Sequence, residues 1–292
     1  MNGGFKNYHP IVSFIYFVSV IGFAMFIMHP VFLAISIFSA CLYSALLNGT
    51  GEMLKKLKFV LPLMFFTAVL NPLFNHRGNT IIAYFKSGNP LTLESVLYGI
   101  AAGLMLSGVI YWFACFNEIM TTDKLTILFG RIAPSFSLVL SMTLRFVPEF
   151  SERMKEIALA QKGIGRNIDD GNIIKRAKHG IKMLSILITW SLEAAIDNAD
   201  SMRSRGYGLG RRTSYQGIRF SVRDKYMLSV IFLLDFYIVG SQMAWNVLGY
   251  NYFDNSHVIA SRLSLYTISA YLILSLMPVF LCGLEGIKWK RS

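Results

Sequence analysis

Residues 199–212 read ADSMRSRGYGLGRR, and the chemistry they offer is that of the guanidinium group. Arg203 and Arg205 flank Ser204, and Gly206 follows at once. A guanidinium holds its charge at any ordinary pH, and its planar fork of donors pairs bidentately with carboxylates. Two of them projecting from a helix end could dock into an acidic groove on a soluble partner. A plainer account also exists. The C-terminus of a helix carries unpaired carbonyls and partial negative charge, so arginines there stabilise it by about 0.3–1 kcal/mol. Glycine just beyond is the usual cap, and anionic lipid would attract the same charges. Both readings stay open on this stretch alone.

Other chemistry is sparse. No Gly-x-x-x-x-Gly-Lys-Ser/Thr loop occurs, so the chain should not bind ATP itself. His9, His29, His76, His179 and His257 are scattered without metal-ligand spacing. Cys41, Cys115 and Cys282 all lie in apolar runs and read as small buried hydrophobes. With no catalytic pair, metal cluster or cofactor motif, the expectation is a non-catalytic protein without a cofactor. Two acids sit in apolar surroundings, Glu118 and Asp235. Such acids are costly in a bilayer and often functional. Asp235 is either a structural hydrogen-bonding residue or a mark on an ion path, which would imply a self-sufficient ion-coupled secondary transporter. Against the latter, no inverted repeat or pair of broken helices is visible.

The elements that must carry these residues belong to a membrane. The chain is 54% apolar and only 15% charged, more apolar surface than a soluble domain of this length could hide. Six runs approach the roughly 20 residues that span a bilayer: 11–28, 30–48, 59–75, 91–118, 226–248 and 263–284. Pro30 opens the second, and Asn71-Pro72 should break or kink the end of the third. The segment NHRGNTIIAYFKSGNP reads as a loop. The expectation is therefore an all-α, polytopic protein of the cell membrane with about six transmembrane helices. Residues 1–118 and 226–292 form its membrane parts, and 119–225 a cytoplasmic insert.

The formal charge of +12 is explained by topology and not by nucleic acid. If both termini are cytoplasmic, the inner segments hold all the lysines and arginines except Arg77, Lys86 and Arg262. That asymmetry is what the positive-inside rule requires.

Within the insert, a short helix at 121–131 precedes two long ones. Over 134–163 the polar residues Ser137, Ser141, Arg145, Glu149, Glu152 and Glu156 recur at threes and fours and line one face. Arg145 and Glu149 are spaced for an i,i+4 ion pair, and Pro148 should bend the helix. From 173 to 204 the stripe is Lys182, Ser185, Thr189, Glu193, Asp197 and Asp200. Ala194, Ala195 and Ala199 would let another helix approach closely. Both helices have broad apolar faces, which must lie against membrane spans, each other or a partner.

Taken in order, NPLFNHRG (71–78), TLRFVPEFSERMKEIALAQKGIG (143–165) and ADSMRSRGYG (199–208) resemble the transmembrane T component of energy-coupling factor transporters, related to cobalt and biotin uptake permeases. The signature of the first coupling helix falls on Leu144, Arg145, Phe146 and Pro148, followed by Glu149. The Ala-Arg-Gly core of the second motif is similar to Ser204-Arg205-Gly206 here. One departure is plain: where the family's first motif also ends in Ala-Arg-Gly, this chain has Gln161-Lys162-Gly163-Ile164-Gly165-Arg166. Ile164 replaces the arginine, leaving Lys162 or Arg166 to supply charge, or the end to dock by shape. The resemblance implies two ATP-binding cassette ATPase subunits that bind both helix ends, and a small membrane S component that captures a vitamin or metal ion. ATP-driven closure would move the helix ends, and the Ala194–Ala199 region would serve the helix crossing.

Overall fold

A computed structural model describes residues 4–84, 90–132, 134–165, 172–209, 220–245, 252 and 262–291. After a 3-10 turn at Gly4–Asn7 come α1 (Pro10–Phe26), α2 (Pro30–Asn48) and α3 (Thr50–Phe74). A short pair of strands, β1 (Ile81–Tyr84) and β2 (Pro90–Thr92), leads into α4 (Leu93–Ile119). Next are α5 (Thr122–Ile132), α6 (Pro134–Gly163), α7 (Ile173–Ser204), α8 (Val222–Trp245) and α9 (Arg262–Arg291). The chain divides into two compact units, Met1–Lys124 with Ile218–Ser292, and Leu125–Gly217.

The first unit holds the apolar helices. Among the described residues, five helices are long and apolar enough to cross a membrane: α2, α3, α4, α8 and α9. The sixth expected span, α1, is apolar but only 17 residues long. At 1.5 Å per residue it reaches about 25 Å, just short of a hydrocarbon core of about 30 Å. His9-Pro10 and His29-Pro30 start α1 and α2 in the same way. Proline takes the first helical position, and the preceding histidine Nδ1 accepts the backbone N–H of Ile11 or Val31 at 3.2 and 3.3 Å.

Pro72 does not break α3, which continues to Phe74 and contains Pro62 as well. Neighbouring helices can sustain such prolines in an apolar setting. Here the support is α4, where a Cβ on Gly99 would come within 2.8 Å of the Ala68 carbonyl, and one on Gly103 within 2.9 Å of the Met64 carbonyl. The Gly99-x-x-x-Gly103 spacing thus lets the two backbones meet. Polar side chains bind the apolar core at a few points: Trp112 Nε1 donates to Ser36 Oγ at 3.0 Å, and Tyr16 to the Ser275 carbonyl at 3.3 Å.

The segment between α3 and α4, expected as a loop, contains the antiparallel pair β1–β2, with Ile81 opposite Thr92 and a bulge before Ala83. It is folded onto the start of α4. The buried Glu94 carboxylate accepts from the Thr80 hydroxyl at 2.7 Å and from the N–H groups of Thr80 and Asn79. Thr92 caps the helix and donates to the Arg77 carbonyl at 2.6 Å.

The points where the chain leaves and re-enters this unit are tied to its N-terminal segment. Lys124 Nζ donates to the Lys6 carbonyl at 2.8 Å, and burial, then the Lys6 charge, pulls its ammonium below the ordinary value. Lys6 in turn pairs with Glu118 at 3.3 Å. Arg223 lies over the Tyr8 ring and reaches the Asn7 carbonyl. Asp224, only 4% exposed, takes the His9 N–H through Oδ1. Its Oδ2 accepts from the Ser221 N–H and hydroxyl at 2.9 and 2.8 Å, while Ser221 Oγ accepts from the Asp224 N–H. This is a reciprocal capping box at the start of α8. Asp224→Ala takes the acceptor from three donors, of which the buried His9 N–H costs about 1–3 kcal/mol to leave unpaired. It should lower the apparent melting temperature in detergent by about 3–10 °C; an unchanged transition would contradict the latch.

Candidate partner-docking site

The second unit is built on α6 and α7. Pro134 opens α6, its fixed φ suited to a first turn. Pro148 lies inside a helix that is continuous from Pro134 to Gly163. Asn172 caps α7, its Oδ1 accepting the Ile173 N–H at 2.9 Å. The two helices meet near their middles. Phe150 packs edge-on against Trp190 with ring centres 6.4 Å apart, and stacks on Phe146 at 5.7 Å. The Arg153 guanidinium lies 4.6 Å from the Trp190 ring centre and pairs with Glu156 at 2.8 Å. From Phe150 to Gly163, and from Trp190 to Ser204, the helix runs on for about 20 Å. Each C-terminus is thus the end of a long arm beyond the contact.

Both arms end with the same backbone chemistry. In α7, Arg205 is the C-cap and Gly206 is left-handed at φ +82°. The Tyr207 N–H donates to the Met202 carbonyl at 3.0 Å, and the Gly206 N–H to the Arg203 carbonyl at 2.9 Å. Together these make a Schellman closure. Ser201 accepts the Arg205 N–H and the Ser204 hydroxyl. In α6, Gly165 takes φ +75° and its N–H reaches the Lys162 carbonyl at 3.0 Å. Lys162, Gly163, Ile164 and Gly165 therefore stand where Arg203, Ser204, Arg205 and Gly206 stand in α7. Ile164, 64% exposed, occupies the place of Arg205.

The geometry shows how far the arginines take part in capping. The carbonyls of Ser201, Met202 and Arg203 are already taken by backbone donors or Ser204. Arg203 and Arg205 are exposed, and among the described residues neither side chain makes a hydrogen bond or ion pair. Their side-chain donors are not used in closing the helix end.

The remaining predicted positions divide as follows. Ser204 and Lys162 are exposed at the tips, Gln161 is half-buried, and Arg166 lies outside the described residues. Leu144, Arg145 and Pro148 are exposed, whereas Phe146 and Glu149 are half-buried. Among the described residues Arg145 and Glu149 do not pair; the ion pair on this helix is Arg153–Glu156. Ala194 is half-buried, and Ala195 and Ala199 are exposed. Beside them runs an uncovered apolar line, Ile181, Leu184, Ile188, Leu192 and Ile196, each between 49% and 67% exposed. At helical spacing this is one face available to a partner. The contact between Arg153 and Trp190 escaped the periodicity; its one signal was an arginine between the acidic positions Glu152 and Glu156.

Among the described residues no group of three His, Cys, Asp or Glu could hold a metal. Asp235 Oδ2 accepts the Ser19 hydroxyl across α1 and α8, while its buried Oδ1 has no hydrogen-bond partner among the described residues.

Residues 9–215 match the family model described as CbiQ, cobalt transport protein, which covers both long helices and their tips. The chain is also similar to energy-coupling factor transporter transmembrane proteins EcfT. That of Staphylococcus aureus is 28% identical over 188 residues, 60% of this chain and 70% of that one. That of Streptococcus thermophilus is 30% identical over 194 residues, 63% and 72%. That of Lactobacillus helveticus reaches 41% over 99 residues, 34% and 36%.

A side chain at Gly206 would be forced into a left-handed backbone at about 1–2 kcal/mol. Gly206→Val should fray the tip, so that trypsin cuts at Arg203 and Arg205 several times faster in native protein. Gly163→Ala, where nothing crowds a Cβ and φ is ordinary, should leave cleavage unchanged. Equal rates for both variants would show that the closure does not hold the tip.

Proposed function

The chain belongs to the cobalt transport protein family CbiQ, and on that premise we propose that it is the transmembrane coupling component of an energy-coupling factor importer. In this reading both termini are cytoplasmic and α6 and α7 lie on the inner side. Their ends bear on two ATP-binding cassette ATPases, and a small membrane S component captures the cargo, a vitamin or a metal ion. The observation that supports it most is the pair of matched helix ends, closed by their own backbone, with the side chains of Arg203, Arg205 and Lys162 unpaired among the described residues. A side chain not spent on capping can pair bidentately with a carboxylate on a partner.

The chain itself supplies force transmission and no bond-breaking. Closure of the ATPases on ATP would displace the tips. The contact of Phe150 and Arg153 with Trp190 makes one helix respond to the other, and the uncovered face of Ile181, Leu184, Ile188, Leu192 and Ile196 offers the S component an apolar track. Ser204 and Gly206 shape the second tip; Gln161, Gly163 and Gly165 shape the first, which docks by the apolar Ile164 and the charge of Lys162. Asp235, held by Ser19, serves as a link between helices in this scheme.

A tagged chain purified in mild detergent should bring down ATPase subunits and a small hydrophobic protein; a clean homo-oligomer with ion-coupled transport would overturn the reading. Arg205→Glu should cut cargo uptake by about tenfold or more while the protein stays in the membrane. Ile164→Arg placed in an Arg205→Ala background should restore part of the loss. Unchanged uptake in Arg205→Glu would refute the charged anchor.

A further inference from the structure

A groove of about 290 Å³ lies between α3 and α4, lined by Lys55, Lys56, Phe59, Val60, Ile110, Tyr111 and Ala114. It follows from how these helices pack. Along one face of α4 at four-residue steps come Gly99, Gly103, Ser107 and Tyr111. At the glycines the backbones almost touch. At Tyr111 a large ring, fully buried and bonded through its hydroxyl to the Met53 carbonyl at 3.4 Å, stands between them. The groove opens beside it.

Its two ends differ in chemistry. Phe59, Val60 and Ile110 make an apolar floor, with Phe59 71% exposed, and Ala114 lines the opposite end. At that end are two lysines. Lys55 is satisfied by Glu52 at 2.7 Å and points to solvent. Lys56 is half-buried at the groove and makes no ion pair or hydrogen bond among the described residues. Glu52, Lys55, Lys56 and Lys58 are the charged residues of α3, all in its first nine positions, and none follows from Phe59 to Phe74. That boundary puts Lys56 at headgroup depth and the floor at acyl depth.

An ammonium at the rim of an apolar slot is complementary to one kind of membrane molecule. We infer that this groove holds an anionic phospholipid, its phosphate on Lys56 beside Ala114 and an acyl chain along Phe59, Val60 and Ile110. A volume near 300 Å³ is at the small end of ligand sites and suits a segment of chain with the rest in the bilayer. The lipid would seal the side of the α3–α4 pair where the glycine contact ends.

The test is native mass spectrometry of the full-length chain with its co-purifying subunits, using phosphatidylglycerol and phosphatidylcholine of identical acyl chains. The wild type should retain phosphatidylglycerol about fivefold over phosphatidylcholine. Lys56→Gln should abolish the preference, Lys56→Arg should keep it, and Lys58→Gln, removing the same charge outside the groove, should keep most of it. Ala114→Phe should reduce retention of both lipids. Unchanged phosphatidylcholine retention and melting temperature in Lys56→Gln would show that the fold is intact. Equal retention of the two lipids by the wild type would overturn the site. So would equal losses in Lys56→Gln and Lys58→Gln, which would mean surface charge alone, or a groove filled by a protein subunit instead of lipid.

Discussion

The ends of the helices are the constraint on which this protein depends. Each α-helix leaves four donors and four acceptors unpaired, and an apolar setting makes every one of them costly. The chain meets this locally: His9, His29, Thr92, Asn172 and Ser221 accept at N-termini, and Gly165 and Gly206 close C-termini. The position of each cap also places functional chemistry. Because Gly206 and Tyr207 occupy the last carbonyls of α7, the side chains of Arg203 and Arg205 take no part in the capping among the described residues. Because Asp224 closes the start of α8 and also holds the His9 N–H, one carboxylate fixes both a helix and the N-terminal segment.

A second consequence concerns leverage. The Phe150, Arg153 and Trp190 contact lies about 20 Å from each tip. An indole face under a guanidinium keeps its attraction while the rings slide, since it needs no single hydrogen-bond direction. Such a joint tolerates rotation better than a ladder of fixed hydrogen bonds would. The apolar line from Ile181 to Ile196 lies exposed in the same unit.

Much of this architecture was legible in the sequence because it rests on local rules. The bounds of α6 and α7 follow from three-and-four periodicity, a proline at one start and glycines past both ends. What escaped depends on partners far along the chain. Ser221-Val-Arg-Asp224 carries a capping-box spacing, but nothing local says that His9 would share the carboxylate. The β1–β2 pair has no Asn-Gly turn to announce it, and it is secured by Glu94 from the next helix. Pro72 looked like a helix end because the support that Gly99 gives near the Ala68 carbonyl is not visible in α3 itself. Arg145 and Glu149 had the spacing for an ion pair, yet the pair that forms uses Arg153, drawn toward Trp190 of the other helix.

The central claim is that the two helix ends are paired contact points on an ATP-driven partner. Single cysteines at 164 and 205, in a chain whose Cys41, Cys115 and Cys282 have been replaced, can be cross-linked in membranes with co-expressed ATPases, with and without ATP. The account predicts that both positions capture an ATPase subunit and that the yields change together on ATP addition. A cysteine at 18, on the exposed face of α1, should capture none. Failure of both tips to reach an ATPase, or capture that is equal at position 18, would contradict it.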